Sequence, residues 1–347
     1  MGAKFSIIDV PEEVTKSVLE HCDIFEILSL RKTCHDIRNV IEDMKPRRVV
    51  ASNIIFDETR VLFNLFLTNT NCPMHYPDGN FIGVVYEKEG DGCSVRRQRM
   101  SFEQNPIVKR FETLDFITAA CNDFETVLQT ATLKSFNINL QTDLPEGVVQ
   151  RLQTLLNSKP VEYFATTIEK PEQVMTILPF IIASEVLNIR NPHLEIMDIN
   201  GDELISLVQW KRAKRFGTDR IRLEIPIRAL LHLEKCDLYF KTITSEMLAL
   251  LKNEFLKIPH LNHFQVQFDS FPDQDSLDFG PPLITSCPSG TKKNWIFSIP
   301  ETDQFLSINI YSVMVNLIRI EGCHAKEKTS PKYNKAVDFY DEILFEE

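Results

Sequence analysis

The sequence predicts a short all-helical segment at the N-terminus and a longer α/β region behind it. Three observations predict this. Over 9–44 the apolar residues recur at helical spacing, in three runs that each open on a capping residue. Over 47–110 that periodicity gives way to short apolar runs and turn signals. From 111 onward strands and helices alternate, and the first three strands begin about 25 residues apart. That is the period of a leucine-rich-repeat-like α/β solenoid. Later spacings are irregular, so an ordinary closed α/β domain is the alternative architecture.

Within 9–44, Asp9, Asp23 and Thr33 each precede an acid by three residues: Glu12, Glu26 and Asp36. A capping oxygen with an acid at that position satisfies amides left open at a helix start. Pro11 falls in the first turn of the first helix, where a missing N–H costs nothing. The helical apolar positions are Val10, Val14, Val18 and Leu19; Ile24, Ile27 and Leu28; Cys34, Ile37, Val40 and Ile41. Pro46 ends the segment. Segments below about forty residues rarely fold without a metal, a disulfide or a partner. The segment shows no metal-ligand spacing, so a partner is implied.

This stretch resembles an F-box, the module that docks on the Skp adaptor of cullin-based ubiquitin ligases. The resemblance rests on Val10-Pro11, Glu13-Val14, Val18-Leu19, Ile27-Leu28-x-Leu30-Arg31-Lys32-Thr33-Cys34, Ile37-Arg38 and Ile41. Val10 stands where Leu is usual, Cys22 replaces an apolar residue, and Ile37 replaces a common Trp. The resemblance implies a three-helix F-box over 6–46. It places Pro11, Val14, Ile24, Ile27, Leu28, Leu30, Cys34 and Ile41 at or beside the Skp contact. Some of these must instead hold the helices together, and sequence does not partition the two sets.

Composition narrows the function classes. The chain has 347 residues, 43% hydrophobic and 25% charged, with a net charge of −11. An acidic balance argues against a general nucleic-acid binder, which needs a basic footprint. Two clusters dissent, Lys45–Arg48 and Lys211–Arg215; on a helix the second spreads round most of the circumference and reads as solvated, with a localisation or nucleic-acid role as the alternative for either. Eight scattered cysteines form no CxxC, and no signal peptide is read. That pattern fits reduced thiols in the cytoplasm, the nucleus or both. His260 and His263 form an isolated HxxH, read as turn or edge histidines, and no cofactor is expected. The longest apolar stretch, Met175 to Leu187, is too short to span a bilayer and holds Pro179 and Glu185. The opening MGAKFS fits an N-myristoylation pattern with Gly2 as acceptor. A single acyl chain without a basic second signal gives only marginal membrane contact.

Behind the helical segment, 47–110 reads as a β-rich connector. Val49–Phe56 and Val61–Leu67 are apolar runs, and Phe81–Tyr86 and Ser94–Phe102 flank the turn sequence EKEGDG. The α/β domain is expected over 111–322. Its expected helices are Leu114–Leu128, Glu146–Asn157, Pro171–Ile182, Gly201–Phe216 and Ser245–Leu256. Its expected strands are Ser135–Leu140, Glu162–Ile168, Val186–Arg190, Arg220–Ile225, Asp237–Lys241 and His263–Phe268. Residues 270–294 read as a polar, Pro-rich loop. Trp295–Ile299 and Phe305–Ile320 read as a cap on the sheet, and 323–347 as a tail.

Several pieces of the α/β region resemble the FTH domain, which follows the F-box in the nematode-expanded F-box A proteins. They are Ile177-Leu178-Pro179-Phe180, Val186-Leu187-x-Ile189, Val208-Gln209-Trp210-Lys211-x-Ala213-Lys214, His232–Lys235 and Ile243–Glu246, within 130–270. Trp210 is read as a core residue. No nucleophile elbow, phosphate loop, dinucleotide fingerprint or HExxH occurs, so no catalytic role is expected. The two resemblances imply a non-catalytic adaptor: the F-box on Skp and, through it, cullin, and the FTH domain on a target protein. A non-degradative scaffold that recruits a regulatory protein is the alternative.

Overall fold

A computed structural model of the chain describes residues 10–22, 27, 30, 35–43, 47–67, 81–99, 108–157, 160–182, 185–287 and 290–322. The chain divides into two compact units, 1–184 and 185–347.

The first unit opens with helices α1 (Glu12–His21) and α2 (His35–Asp43). The middle helix expected from Asp23 lies largely outside the described residues; Ile27 and Leu30 are helical. Five strands follow: β1 (Arg47–Phe56), β2 (Arg60–Leu67), β3 (Phe81–Glu89), β4 (Gly92–Arg99) and β5 (Val108–Phe111). Then come α3 (Phe116–Thr130), β6 (Ala131–Leu140), α4 (Glu146–Leu156), β7 (Tyr163–Ile168) and α5 (Glu172–Ile177), which a 3-10 turn extends over Leu178–Phe180.

These strands form a sheet in the order β7-β6-β1-β2-β3-β4-β5. β7, β6 and β1 run parallel, and the pairs from β1 to β5 are antiparallel. The parallel pairing of β1 with β6 places β1 to β5 and β6 and β7 in one sheet. The expected β3–β4 hairpin forms around Gly90, whose φ of 62° suits the tight turn. Strand alternation decides the faces. Ser52, Ile54 and Phe56 of β1 and Val61, Phe63 and Leu65 of β2 are buried. The core is an aromatic row: Phe63 edge-on to Phe124 at 5.4 Å, Phe124 stacked on Phe136 at 5.6 Å, and Phe136 beside Phe164 at 5.9 Å. Phe124 lies on α3, so the row fixes that helix on the sheet.

The second unit contains β8 (Val186–Arg190), β9 (Met197–Asn200), α6 (Gly201–Ser206), α7 (Val208–Arg212), β10 (Arg215–Glu224), β11 (Lys235–Thr242), α8 (Ser245–Lys257) and β12 (His263–Ser270). It ends in β13 (Leu283–Cys287), β14 (Gly290–Ser298), β15 (Gln304–Ile310) and β16 (Met314–Glu321). Its strand order is β13-β14-β15-β16-β12-β11-β10-β8, with β9 also on β10. β8, β10, β11 and β12 are parallel, while β12 to β13 form an antiparallel run. β10 pairs with β8 over Arg215–Asp219 and with β9 over Ile221–Glu224. Arg220, with φ of 56°, makes the bend between the two halves.

Strands expected in the α/β region are present, but they begin at 131, 163, 186, 215, 235 and 263, without a single period. Two sequence expectations are corrected. The single helix expected over Gly201–Phe216 is two short helices, because Leu207 is extended (φ −66°, ψ 144°) and the chain enters β10 at Arg215. The break lets Trp210 lie buried, its ring 4.6 Å from Phe216 and 5.7 Å from His232. The loop expected over 270–294 contains β13 and the start of β14. Phe255 of α8 meets Phe264 of β12 at 5.1 Å. The C-terminal end of α8 is closed from outside the helix. Arg319 of β16 donates to the carbonyls of Phe255 and Ile258 at 2.8 Å each and of Leu261 at 2.9 Å. That places a cation on carbonyls the helix cannot satisfy itself.

Candidate protein-docking surfaces

Helix α1 has two unlike faces. Thr15 and Leu19, four residues apart, are buried. Leu19 packs with Ile27, Ile37 and Ile41 into a small core, with Cys22, Leu30 and Val40 partly buried against it. Along the flank of that row Pro11 is exposed and Val14 and Val18 are each 48% exposed. Their three- and four-residue spacing makes one stripe along the helix. The helix begins on Pro11, which occupies the N-cap; its carbonyl accepts from the Val14 and Thr15 amides at 3.0 and 3.1 Å. Glu12 and Lys16 pair at 2.6 Å, an exposed contact that adds little.

The geometry thus sorts the residues singled out from sequence. Pro11 and Val14 are exposed; Ile27 and Ile41 are in the core; Leu30 is partly buried against it. Ile24, Leu28, Cys34 and Gly2 lie outside the described residues. Val18 joins the stripe, and its four-residue step from Val14 was the signal for it. In the basic run Lys211–Arg215 the four basic residues are exposed and Ala213 is buried; Lys214 pairs with Glu185 at 2.7 Å, and Arg215 opens β10.

A second surface lies on the sheet of the second unit. Alternate residues such as Phe264, Val266 and Phe268 are buried, and the residues between them point to the opposite face. In register across seven strands that face presents Asn188, Gly217, Asp237, Gln265, Asn316, Asn309 and Asn294. Gln265 donates to both Asp237 carboxylate oxygens at 3.4 Å, and Asn294 donates to Asn309 Oδ1 at 2.6 Å. A Cβ at Gly217 would sit 2.3 Å from Asn188 Oδ1, so that side chain would have to turn aside. Burial pushes the Asp237 carboxyl up to about 6. At one end of this face Arg222 holds Asp198 at 2.5 and 2.7 Å and also pairs with Asp269, which accepts from the Tyr239 hydroxyl.

His260 Nε2 lies 2.9 Å from the Leu231 carbonyl, and burial holds the His263 imidazole below its usual range. Among the described residues no three His, Cys, Asp or Glu side chains are grouped to hold a metal. Among the same residues no helix is long and apolar enough to cross a membrane.

Comparison with known proteins matches both segments. The F-box domain model matches residues 7–48, and the FTH domain model matches 142–279. F-box A protein 224 of Caenorhabditis elegans is 26% identical over 281 residues, 76% of this chain. The alignment spans 65% of that relative's length. A crystal structure of a Bacteroides fragilis protein shares 9% identity, covering 56% of this chain and 88% of its own, with a TM-score of 0.22. That likeness is too slight to carry a fold or functional argument. F-box proteins are in general non-catalytic adaptors whose F-box binds Skp. The chain carries an F-box followed by an FTH domain, and it is related to the F-box A proteins.

Proposed function

We propose that this chain is the substrate-recognition adaptor of a Skp–cullin–F-box ubiquitin ligase. The F-box docks Skp, and the FTH domain holds a target protein. The target's lysines are thereby brought near ubiquitin carried on a conjugating enzyme. The gain is proximity: an encounter between two molecules becomes effectively intramolecular. The chain contributes binding and no bond-making, and it works in the cytoplasm, the nucleus or both.

The observation that carries this reading is the apolar stripe Pro11–Val14–Val18, exposed on a helix whose Leu19 is buried among Ile27, Ile37 and Ile41. Leu19 supplies the inward contact, so two half-exposed valines in line suit a second, outward one. Burying each on a partner is worth roughly 1 kcal/mol. The test is Skp capture by the full chain carrying Val14→Asp and Val18→Asp. Capture should fall by about tenfold or more while circular dichroism is unchanged. Unchanged capture would remove the stripe from the Skp contact. Target turnover with and without active cullin separates the ligase from a scaffold that recruits without ubiquitination. Gly2 acylation belongs to the same proposal as a weak membrane contact. A myristate analogue should label the protein and fail to label Gly2→Ala.

A further inference from the structure

We propose that β13 is an open sheet edge that binds its partner by strand addition. The occupant is an extended segment of the target in which aliphatic and acidic side chains alternate. Calling the occupant a target rests on the adaptor reading; the edge itself does not.

β13 is the terminal strand of its sheet and pairs with β14 alone among the described residues. Cys287 faces Gly290 across a two-residue connection. In such a hairpin the pair next to the turn exchanges backbone hydrogen bonds, and so does every second pair after it. Thr285 and Leu283 therefore turn their backbone groups toward β14, while Ile284 and Ser286 turn theirs outward. Among the described residues no backbone bond to Ile284 or Ser286 is made from that side. An extended chain can complete these bonds as a new strand.

Sheet edges are normally guarded by charge, proline, a bulge or shortness. Leu283–Cys287 has no charge, no proline and an unbroken register. The edge strand β5 of the first unit is the contrast. It is four residues long and carries Lys109 and Arg110, and Arg110 pairs with Glu89 at 3.0 Å. On β13, Leu283 is 53% and Ile284 62% exposed. Neighbours along a strand point to opposite faces, so these two side chains flank an added strand above and below.

The edge is also held in place before a partner arrives. Phe279, four residues upstream, meets Trp295 and Phe297 of β14 edge-on at 5.8 Å each. Trp295 donates from Nε1 to the Gly280 carbonyl at 2.9 Å. Lys252 Nζ lies 4.8 Å from the Phe279 ring centre and 4.3 Å from that of Phe297. A prearranged edge costs less ordering on binding.

Charge selects the partner. The hairpin 283–298 contains Lys292 and Lys293 and no acid, on a chain of net charge −11. Lys293 stands opposite Ile284, while Lys292, opposite Thr285, has its Nζ 5.3 Å from the Tyr311 ring centre on the β15 side. An added strand would lie about 9.6 Å from β14, a gap that extended Lys293 and Glu side chains close together. Acidic residues on the incoming segment suit this hairpin. A second copy of the whole chain would bring its own −11 and be repelled.

The test uses the full chain and two labelled octapeptides, alternating Val-Glu and alternating Val-Lys. The acidic peptide should bind about tenfold tighter or better than the basic one, and the difference should shrink with salt. Hydrogen exchange at the Ile284 and Ser286 amides should slow on binding. Ser286→Pro removes an outward N–H at a position where an edge strand tolerates proline, and should weaken binding about tenfold or more. Ile284→Glu should do the same by repulsion and keeps the test standing if the proline variant misfolds. Equal binding of the two peptides, wild-type affinity in the folded variants, or a homodimer dissolved by Ser286→Pro would overturn the proposal. Skp capture, read on the same preparations, separates the two readings: its loss alone strikes the adaptor role and leaves the edge.

Discussion

The F-box and the second unit solve the problem of burial differently. Among its described residues the F-box buries four aliphatic side chains, Leu19, Ile27, Ile37 and Ile41, and leaves Val14 and Val18 half in solvent. The second unit closes on large rings, Trp210 on Phe216 and Phe255 on Phe264, and ties a helix end down with Arg319. The lesson concerns reserve. A helical segment this short gains stability when a partner covers it, whereas large ring contacts hold the second unit.

Substitutions that remove the large rings should break this contrast most strongly. Trp210→Ala should cost about 3–5 kcal/mol and unfold the second unit at moderate denaturant, read by near-ultraviolet dichroism. Arg319→Leu takes a donor from both the Phe255 and the Ile258 carbonyl and should cost about 2–3 kcal/mol, with faster exchange at the end of α8. Leu19→Ala should cost about 2–3 kcal/mol, confined to the F-box. Hydrogen exchange should show α1 and α2 opening while strands of the second unit keep their protection. If all of them lose protection together, the F-box is not a separate folding unit and the contrast fails.

Smaller effects sharpen it. Asp237 has its pKa raised from 3.8 to about 6 by burial. The folded state then binds the proton more tightly than the unfolded state. Stability is full below about pH 4, falls as pH rises toward 6, and stays lower above that, by about 2–3 kcal/mol at most. Asp237→Asn should remove the slope between pH 4 and 6, as measured by urea denaturation. Wild-type slope in that variant would assign the pH dependence elsewhere. The smallest change in stability, within about 0.5 kcal/mol, is expected for Val14→Asp with Val18→Asp, because both side chains are half exposed. Thiol chemistry reports on the same divide. Burial pushes Cys121 up to about 11 and raises Cys236 well above its usual range, so neither should react with a thiol reagent until its unit opens. Of Cys22, Cys93, Cys121 and Cys236, the half-exposed Cys22 of the F-box should react first.

Local signals in the sequence determined a good deal. Val186–Arg190 is a strand with those same ends, and the EKEGDG hairpin forms around Gly90. Both are carried by short-range chemistry: alternation in one, a glycine turn in the other. The F-box and the FTH segment were legible because each spreads many small cues in a fixed order. Trp210 was legible as a core residue for its size and apolar neighbours.

The tertiary structure decided what depends on residues distant in sequence. The helix expected over 201–216 is split because Trp210 must reach Phe216 and His232, and packing of that kind outweighs helix propensity. β13 was read as loop, since five residues between prolines carry too little alternation to declare a strand; β14 makes it one by pairing. Ile27 and Val14 look alike in a helical pattern. Only packing against Leu19, Ile37 and Ile41 sends the first inward and leaves the second half exposed. The physical reason is common to all three. Periodicity and turn chemistry act within a few residues of chain, whereas burial is settled by whichever distant surface arrives.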